Sequence, residues 1–197
     1  MHEIMQQNSP ARSKPSGPLH HLIYDQGGAT ALEFALVAAP FLALIIAVFQ
    51  TVLVFLAGRV LDEVVGQSAR YIMTGQAQTS NMTQAGFATY VCQNTNSYYG
   101  SLFNCNNFMI NVQNYGSFAA ASTANLVSSF NSQGQALGAN GNVLTWTWSP
   151  GGPGDIVVVE VMYQWPLVLG PLGLNLSNLA NGNRLLMSSA AFKNEPY

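Results

Sequence analysis

Few residues in this sequence could do chemistry, and their placement limits what they could do. All three histidines, His2, His20 and His21, fall within the first 26 residues. The remainder of the chain therefore lacks the commonest general base and the commonest zinc ligand. Beyond residue 75 the carboxylates are Asp155, Glu160 and Glu195. Asp155 closes the turn sequence "SPGGPGD", and Glu160 is expected on the polar face of a strand. A glycosidase-type acid and base could be built from two such groups, but no spacing selects a pair. No glycine arrangement forms a phosphate loop. An enzyme is not expected, and neither is a catalytic residue, a metal site or a cofactor. Trp146, Trp148 and Trp165 could form a sugar-stacking platform, although aromatic residues at period two more often fill a core.

Two features remain. Cys92 and Cys105, with twelve residues between them, would close a short loop in an oxidising compartment and stabilise the fold by about 3 kcal/mol. The alternative is two unpaired buried thiols. Glu33 stands at the start of the apolar run "GGATALEFALVAAPFLALIIAVF". Inside hydrocarbon a lone carboxylate costs about 3 kcal/mol and usually marks function, whereas at the membrane interface it would be hydrated cheaply. The residues alone leave both readings open.

The elements that must position these groups begin with that run. Only 7% of the 197 residues are charged, against roughly 25% in a typical soluble domain. No charge occurs in the 25 residues between Glu33 and Arg59, long enough as a helix for the ~30 Å hydrocarbon core. In "RVLDEVVGQSARYIMTG" the apolar Val60, Leu61, Val64, Val65, Ala69, Ile72 and Met73 then recur at helical spacing, with Arg59, Asp62, Glu63, Gln67 and Arg70 opposite. One helix is predicted from about residue 30 to 74, stopped at Gly75, with a kink at Pro40 and an Arg59–Glu63 pair. It would be ~65 Å long.

Residues 1–28 read as a cytoplasmic leader, 29–75 as the transmembrane and projecting helix, and 76–197 as an exported α+β domain. That domain is rich in Asn, Gln, Ser and Thr, a surface hydrated by amides and hydroxyls. A short helix is predicted over 83–91, with Phe87, Tyr90 and Val91 on one side. Period-two alternation then predicts about four antiparallel strands: "FMINVQNY", "VLTWTWS", "IVVVEVMYQW" and "RLLMSSAAFK". Residues 115–142 read as a long loop with one helical turn. The net charge of −2 without a basic stripe points away from nucleic acid.

The stretch "G-ATAL-EF", Gly28 through Phe34, followed by a long apolar helix, resembles the class III signal of type IV pilins and pseudopilins. The whole helix, through "SARYI", and the stretches "PGGPGDIVVVEVMYQWP" and "NGNRLLMSSAAFKNEPY" are similar to TadE-like proteins of the tight-adherence (Tad/Flp) pilus system. The resemblance implies processing between Gly28 and Ala29 by a prepilin peptidase. It implies that Glu33, followed by the aromatic Phe34, serves as the charge partner of an N-terminal amine. It further implies a minor pseudopilin or assembly component, single-pass in the bacterial inner membrane. The N-terminus would be cytoplasmic and the C-terminal domain periplasmic, with the pilus or cell surface as further places. Its partners would be other pilin or pseudopilin subunits and Tad inner-membrane assembly proteins. The other function class is an uncleaved bitopic membrane protein with an exported lectin-like binding domain.

Overall fold

A computed structural model describes residues 29–100, 102–123, 127–167 and 173–197; the leader lies outside the described residues. By its contacts the chain divides into two units, 1–43 and 44–197. The division falls within the first helix, α1, Ala29–Met73.

In the first unit, Leu32, Phe34, Leu36, Val37, Phe41 and Leu42 are each more than half exposed. α1 is assigned as one helix through Pro40.

In the second unit α1 changes character. Val60, Leu61, Val64, Val65, Ala69 and Ile72 are buried, as their spacing predicts, while Asp62, Glu63 and Arg70 are exposed. Arg59 pairs with Asp62 at 3.9 Å rather than with Glu63, whose Oε1 accepts from Gln67 Nε2 at 2.9 Å. The i,i+3 partner lies as near on the helix surface as the i,i+4 one. α1 ends where Gly75 adopts φ 77°, a left-handed conformation that glycine enters without steric cost.

A four-residue helix, α2 (Gln76–Thr79), leads to α3 (Gln84–Tyr99), capped by Thr83 Oγ1 accepting from Gly86 N at 3.1 Å. Phe87 and Val91 are fully buried, and α3 runs eight residues past the predicted end at Val91. Cys92 and Thr95 continue its buried face. A disulfide from Cys92 to Cys105, in the short 3-10 turn Cys105–Asn107, ties the polar second half of α3 to the segment that enters the sheet. The disulfide reading of the two cysteines therefore holds.

The main sheet has three antiparallel strands in the order β1 (Phe108–Tyr115), β4 (Ile156–Trp165), β5 (Arg184–Lys193). A second sheet pairs β2 (Val127–Phe130) with β3 (Ala136–Gly138) inside the segment expected to be a loop; the one helical turn expected there is α4 (Phe118–Ser122). The arrangement is α+β, as expected, with three strands in the main sheet rather than about four. The missing member is "VLTWTWS", which makes only isolated bridges, Val112–Trp148 and Leu137–Val143. Its alternation breaks in space: Leu144 and Trp146 pack on one side of the main sheet and Trp148 on the other. A segment that changes faces at a sheet edge cannot remain a regular strand.

β4 is buried along eight of its ten residues, Ile156 through Tyr163. One face, Val157, Val159, Val161 and Tyr163, joins α1, α3 and Ile110 and Val112 in the principal core. The opposite face lies under α4 and the small sheet, where Ile156 and Val158 meet Ala121, and Met162 meets Val127 and Ala136. This corrects the expectation that Glu160 lies on a polar face: Glu160 is 1% exposed, and its partner Asn111 2%. A near-continuous apolar run, rather than strict alternation, marks a strand covered on both sides.

Candidate functional site

The first candidate surface is the uncharged part of α1. Its residues are apolar on every side of the helix, and Leu44, Ile46, Val48, Phe49, Val52 and Phe55 are 51–70% exposed. Each would gain roughly 1–2 kcal/mol by leaving water, in proportion to the part still exposed. The helix Thr30–Met73 is long and apolar enough to cross a membrane, and its most apolar window is only 11% buried. A helix hydrophobic all round requires either a bilayer or other apolar helices around it. Glu33 is exposed in the second turn, beside Phe34 at 75% exposure. Gly28 lies outside the described residues, and α1 is described from Ala29.

A second constellation is buried in the part of the chain that carries the sheets. Glu160 on β4 faces Asn111 on β1 in register. Its Oε2 accepts from Asn111 Nδ2 at 2.9 Å and its Oε1 from Val127 N, at the start of β2, at 3.3 Å. Asn111 Oδ1 accepts in turn from Thr147 N at 3.1 Å and Gln113 Nε2 at 3.3 Å, and the Tyr115 hydroxyl donates to Gln113 Oε1. Loss of water pushes the Glu160 carboxyl above its ordinary value, while the Asn111 and Val127 donors pull it partly back. Burial, and then the nearness of Glu160, raise the Tyr115 hydroxyl. The network joins β1, β4, β2 and the 143–149 segment, so its chemistry is that of a clasp. The signal that could have found it is a glutamate inside "IVVVEVMY", apolar at both parities. Asp155 sits in the predicted turn, held below the usual carboxylate range by Gly152 N at 2.8 Å and Asn114 Nδ2 at 3.1 Å. Glu160 lies in the clasp, Asp155 in the turn, and Glu195 just past β5, its N donating to Met73 O at 2.9 Å.

The tryptophans are half-buried and packed. Trp148 lies tilted against Phe87 at 5.1 Å and donates from Nε1 to Met82 O at 2.8 Å. Trp165 meets Phe103 edge-on at 5.5 Å, and Trp146 packs with the core under the small sheet. They lie in two different clusters and share no open platform.

The helix carries the likeness to known proteins. Residues 28–70 match the family of TadE-like proteins. The TadE-like match takes in Gly28, Ala29, Glu33 and Phe34, the uncharged run, and most of the buried half of α1. Residues 71–197, with the sheet and the Glu160 clasp, lie outside it. No curated protein and no solved structure matches the chain.

Proposed function

We propose that this protein is a non-enzymatic component of a Tad-type pilus, a minor pseudopilin or membrane-anchored assembly subunit that supports pilus biogenesis and surface adhesion. The observation that carries this reading is the coincidence of the TadE-like match with a helix whose apolar first part, residues 30–53, contains no buried residue. Such a helix sits in the bacterial inner membrane with its N-terminus cytoplasmic, and it can exchange lipid for the helices of other pilin or pseudopilin subunits or assembly proteins. A prepilin peptidase cuts between Gly28 and Ala29. Glu33 then offsets the new amine, because a paired charge in hydrocarbon is far less costly than a lone one. The packed tryptophans favour this reading over an anchored lectin.

The test is co-expression with a matching prepilin peptidase, followed by N-terminal sequencing. The expected product starts at Ala29, Gly28→Ala blocks its formation, and Glu33→Gln leaves a processed protein that no longer supports pilus formation. An unprocessed N-terminus in the unaltered chain refutes the cleavage, and pili unaffected by deletion of the chain refute the reading.

A further inference from the structure

Among the described residues, the main sheet is open along β5. The backbone of an edge strand alternates between groups bonded to its neighbour and groups turned away. At the end of β5, Asn194 N donates to Asp155 O at 2.8 Å, and Asn194 O accepts from Gly154 N at 3.1 Å. Even-numbered residues therefore face β4, and odd-numbered ones face outward. Both ends of the outward row are occupied: Leu185 N donates to Asn178 Oδ1 at 2.7 Å, and Glu195 N to Met73 O at 2.9 Å. Between these plugs Met187, Ser189, Ala191 and Lys193 turn their amides and carbonyls outward. Among the described residues no hydrogen bond reaches those amides.

Exposed edges are ordinarily blunted by charge, proline or a bulge. Here Arg184 and Lys193 stand only at the ends, and the residues between are Leu, Leu, Met, Ser, Ser, Ala, Ala and Phe in regular register with β4. Met187, Ser189 and Ala191 are exposed. Beside the first half of β5 lies a cavity of about 510 Å³, lined by Val54, Phe55, Arg59 and Asp62 of α1 and by four consecutive residues, 184–187. Consecutive residues of a strand point to opposite faces, so it is the strand's edge that opens into this groove.

We propose that this edge is a docking slot for an extended segment of a different exported polypeptide, which adds a strand outside β5 and seats an apolar side chain in the groove. Only another backbone in extended form presents donors and acceptors at the spacing of the open row. The groove holds two cations, Arg59 and Arg184, against one anion, Asp62. Arg59 is engaged by Asp62, and Arg184 spends Nη1 on Leu176 O at 3.0 Å, leaving guanidinium donors for a carboxylate of the incoming segment. A second copy of this chain does not fit. α1 runs along β5 in the same direction, residues 54–59 flanking 184–187 at one end and Met73 meeting Glu195 at the other. Antiparallel β5–β5 pairing needs a twofold axis normal to the sheet, which would send the two copies' apolar helices in opposite directions and out of a common bilayer. That exclusion alone rests on the proposed membrane span; the slot itself is backbone geometry.

The test uses the full chain in phosphatidylcholine nanodiscs and tracks amide hydrogen exchange at Met187, Ser189 and Ala191. The probe is a blocked peptide of alternating valine and serine ending in aspartate. It is expected to slow these amides about tenfold or more, whereas the same peptide N-methylated throughout does nothing. Ser189→Pro removes an outward amide and no ladder bond, so it abolishes the slowing while tryptophan fluorescence stays unchanged. Ser189→Lys, which keeps the amide and adds a guarding charge, weakens it. The proposal is overturned by no slowing or by equal slowing from the N-methylated peptide. It is equally overturned by slowing from anionic lipid alone, or by slowing that grows with protein concentration without peptide. Each result is independent of whether Gly28 is processed.

Discussion

Glu160 makes the stability of the sheet-bearing part fall as pH rises from acid toward neutral. The carboxyl is 1% exposed, and among the described residues it has donors but no cation: Asn111 Nδ2, Val127 N, and the Tyr115 hydroxyl two side chains away. Ser189 stands opposite it on β5, and the basic side chain sharing that face is Lys193, opposite Ile156. Burial places the folded value above the unfolded one of about 4.5. Below that pH both states hold the proton and the contribution of this group is fully present. Above it the unfolded chain releases the proton first, so stability is lost with a slope of up to about 1.4 kcal/mol per pH unit until the folded value is passed. Asp155 acts in the opposite sense and elsewhere. Its folded value is lowered, so its stabilisation is present above about 3.8 and is lost only below that.

The perturbation is Glu160→Gln. It removes the titration, yet an amide offers one acceptor oxygen where the carboxyl oxygens meet two donors. One of Asn111 Nδ2 or Val127 N then faces an NH2 group, a loss of about 1–3 kcal/mol. The variant is therefore less stable than the native chain near pH 4.5, and the deficit shrinks or reverses toward pH 8. Urea unfolding of the full chain in micelles, monitored by tryptophan fluorescence at several pH values, reads both curves. Parallel curves, or native stability that climbs between pH 5 and 8 by an amount the variant shares, refute the buried-anion argument.

Two further perturbations probe the geometry. Reduction of Cys92–Cys105, or Cys92→Ser with Cys105→Ser, frees a loop with a sequence separation of 13; it should lower unfolding stability by about 3 kcal/mol, and a urea midpoint unmoved by dithiothreitol would contradict it. Gly75→Ala puts a Cβ at φ 77° against the Tyr197 ring, which should destabilise by roughly 1–3 kcal/mol; Tyr197→Ala in the same chain should recover the steric part, and strict additivity of the two changes would show that the ring is not the obstacle.

Much of this was legible because it obeys one-dimensional rules. The gap between Glu33 and Arg59 and the helical spacing beyond it placed α1 within a residue of Ala29–Met73. Gly75 and the "SPGGPGD" turn marked their own breaks, and β1, β4 and β5 matched their predicted runs. What escaped was decided by partners distant in sequence. α3 continues over "NTNSYY" because Cys92 is tied to Cys105 and Thr95 is buried, not because those residues favour helix. The β2 and β3 strands are only four and three residues long, and their turn is held by Asn131 Oδ1 accepting from Gln133 N and Gln135 N. Trp146 and Trp148 alternate as in a strand, but they serve opposite faces. Of the site residues, Glu33 stood out as a charge in an apolar run, whereas Glu160 took its meaning from Asn111, 49 residues away.

The scarcity of charge joins the helix to the sheet edge. A chain with 7% charged residues can place 25 uncharged residues in a bilayer, but the same composition leaves β5 with basic residues only at its two ends. Soluble proteins that stay monomeric guard such edges. A protein held in a membrane meets others at fixed height and orientation, so an unguarded edge there is presented to few sequences and mainly to those anchored beside it. The plugs at Leu185 and Glu195 limit the length of strand that can add, the groove at Phe55 selects one side chain, and Arg184 favours an acidic neighbour. Those three restrictions make the open edge selective rather than merely adhesive. This is what an assembly subunit requires if it recognises one neighbour without performing chemistry on it.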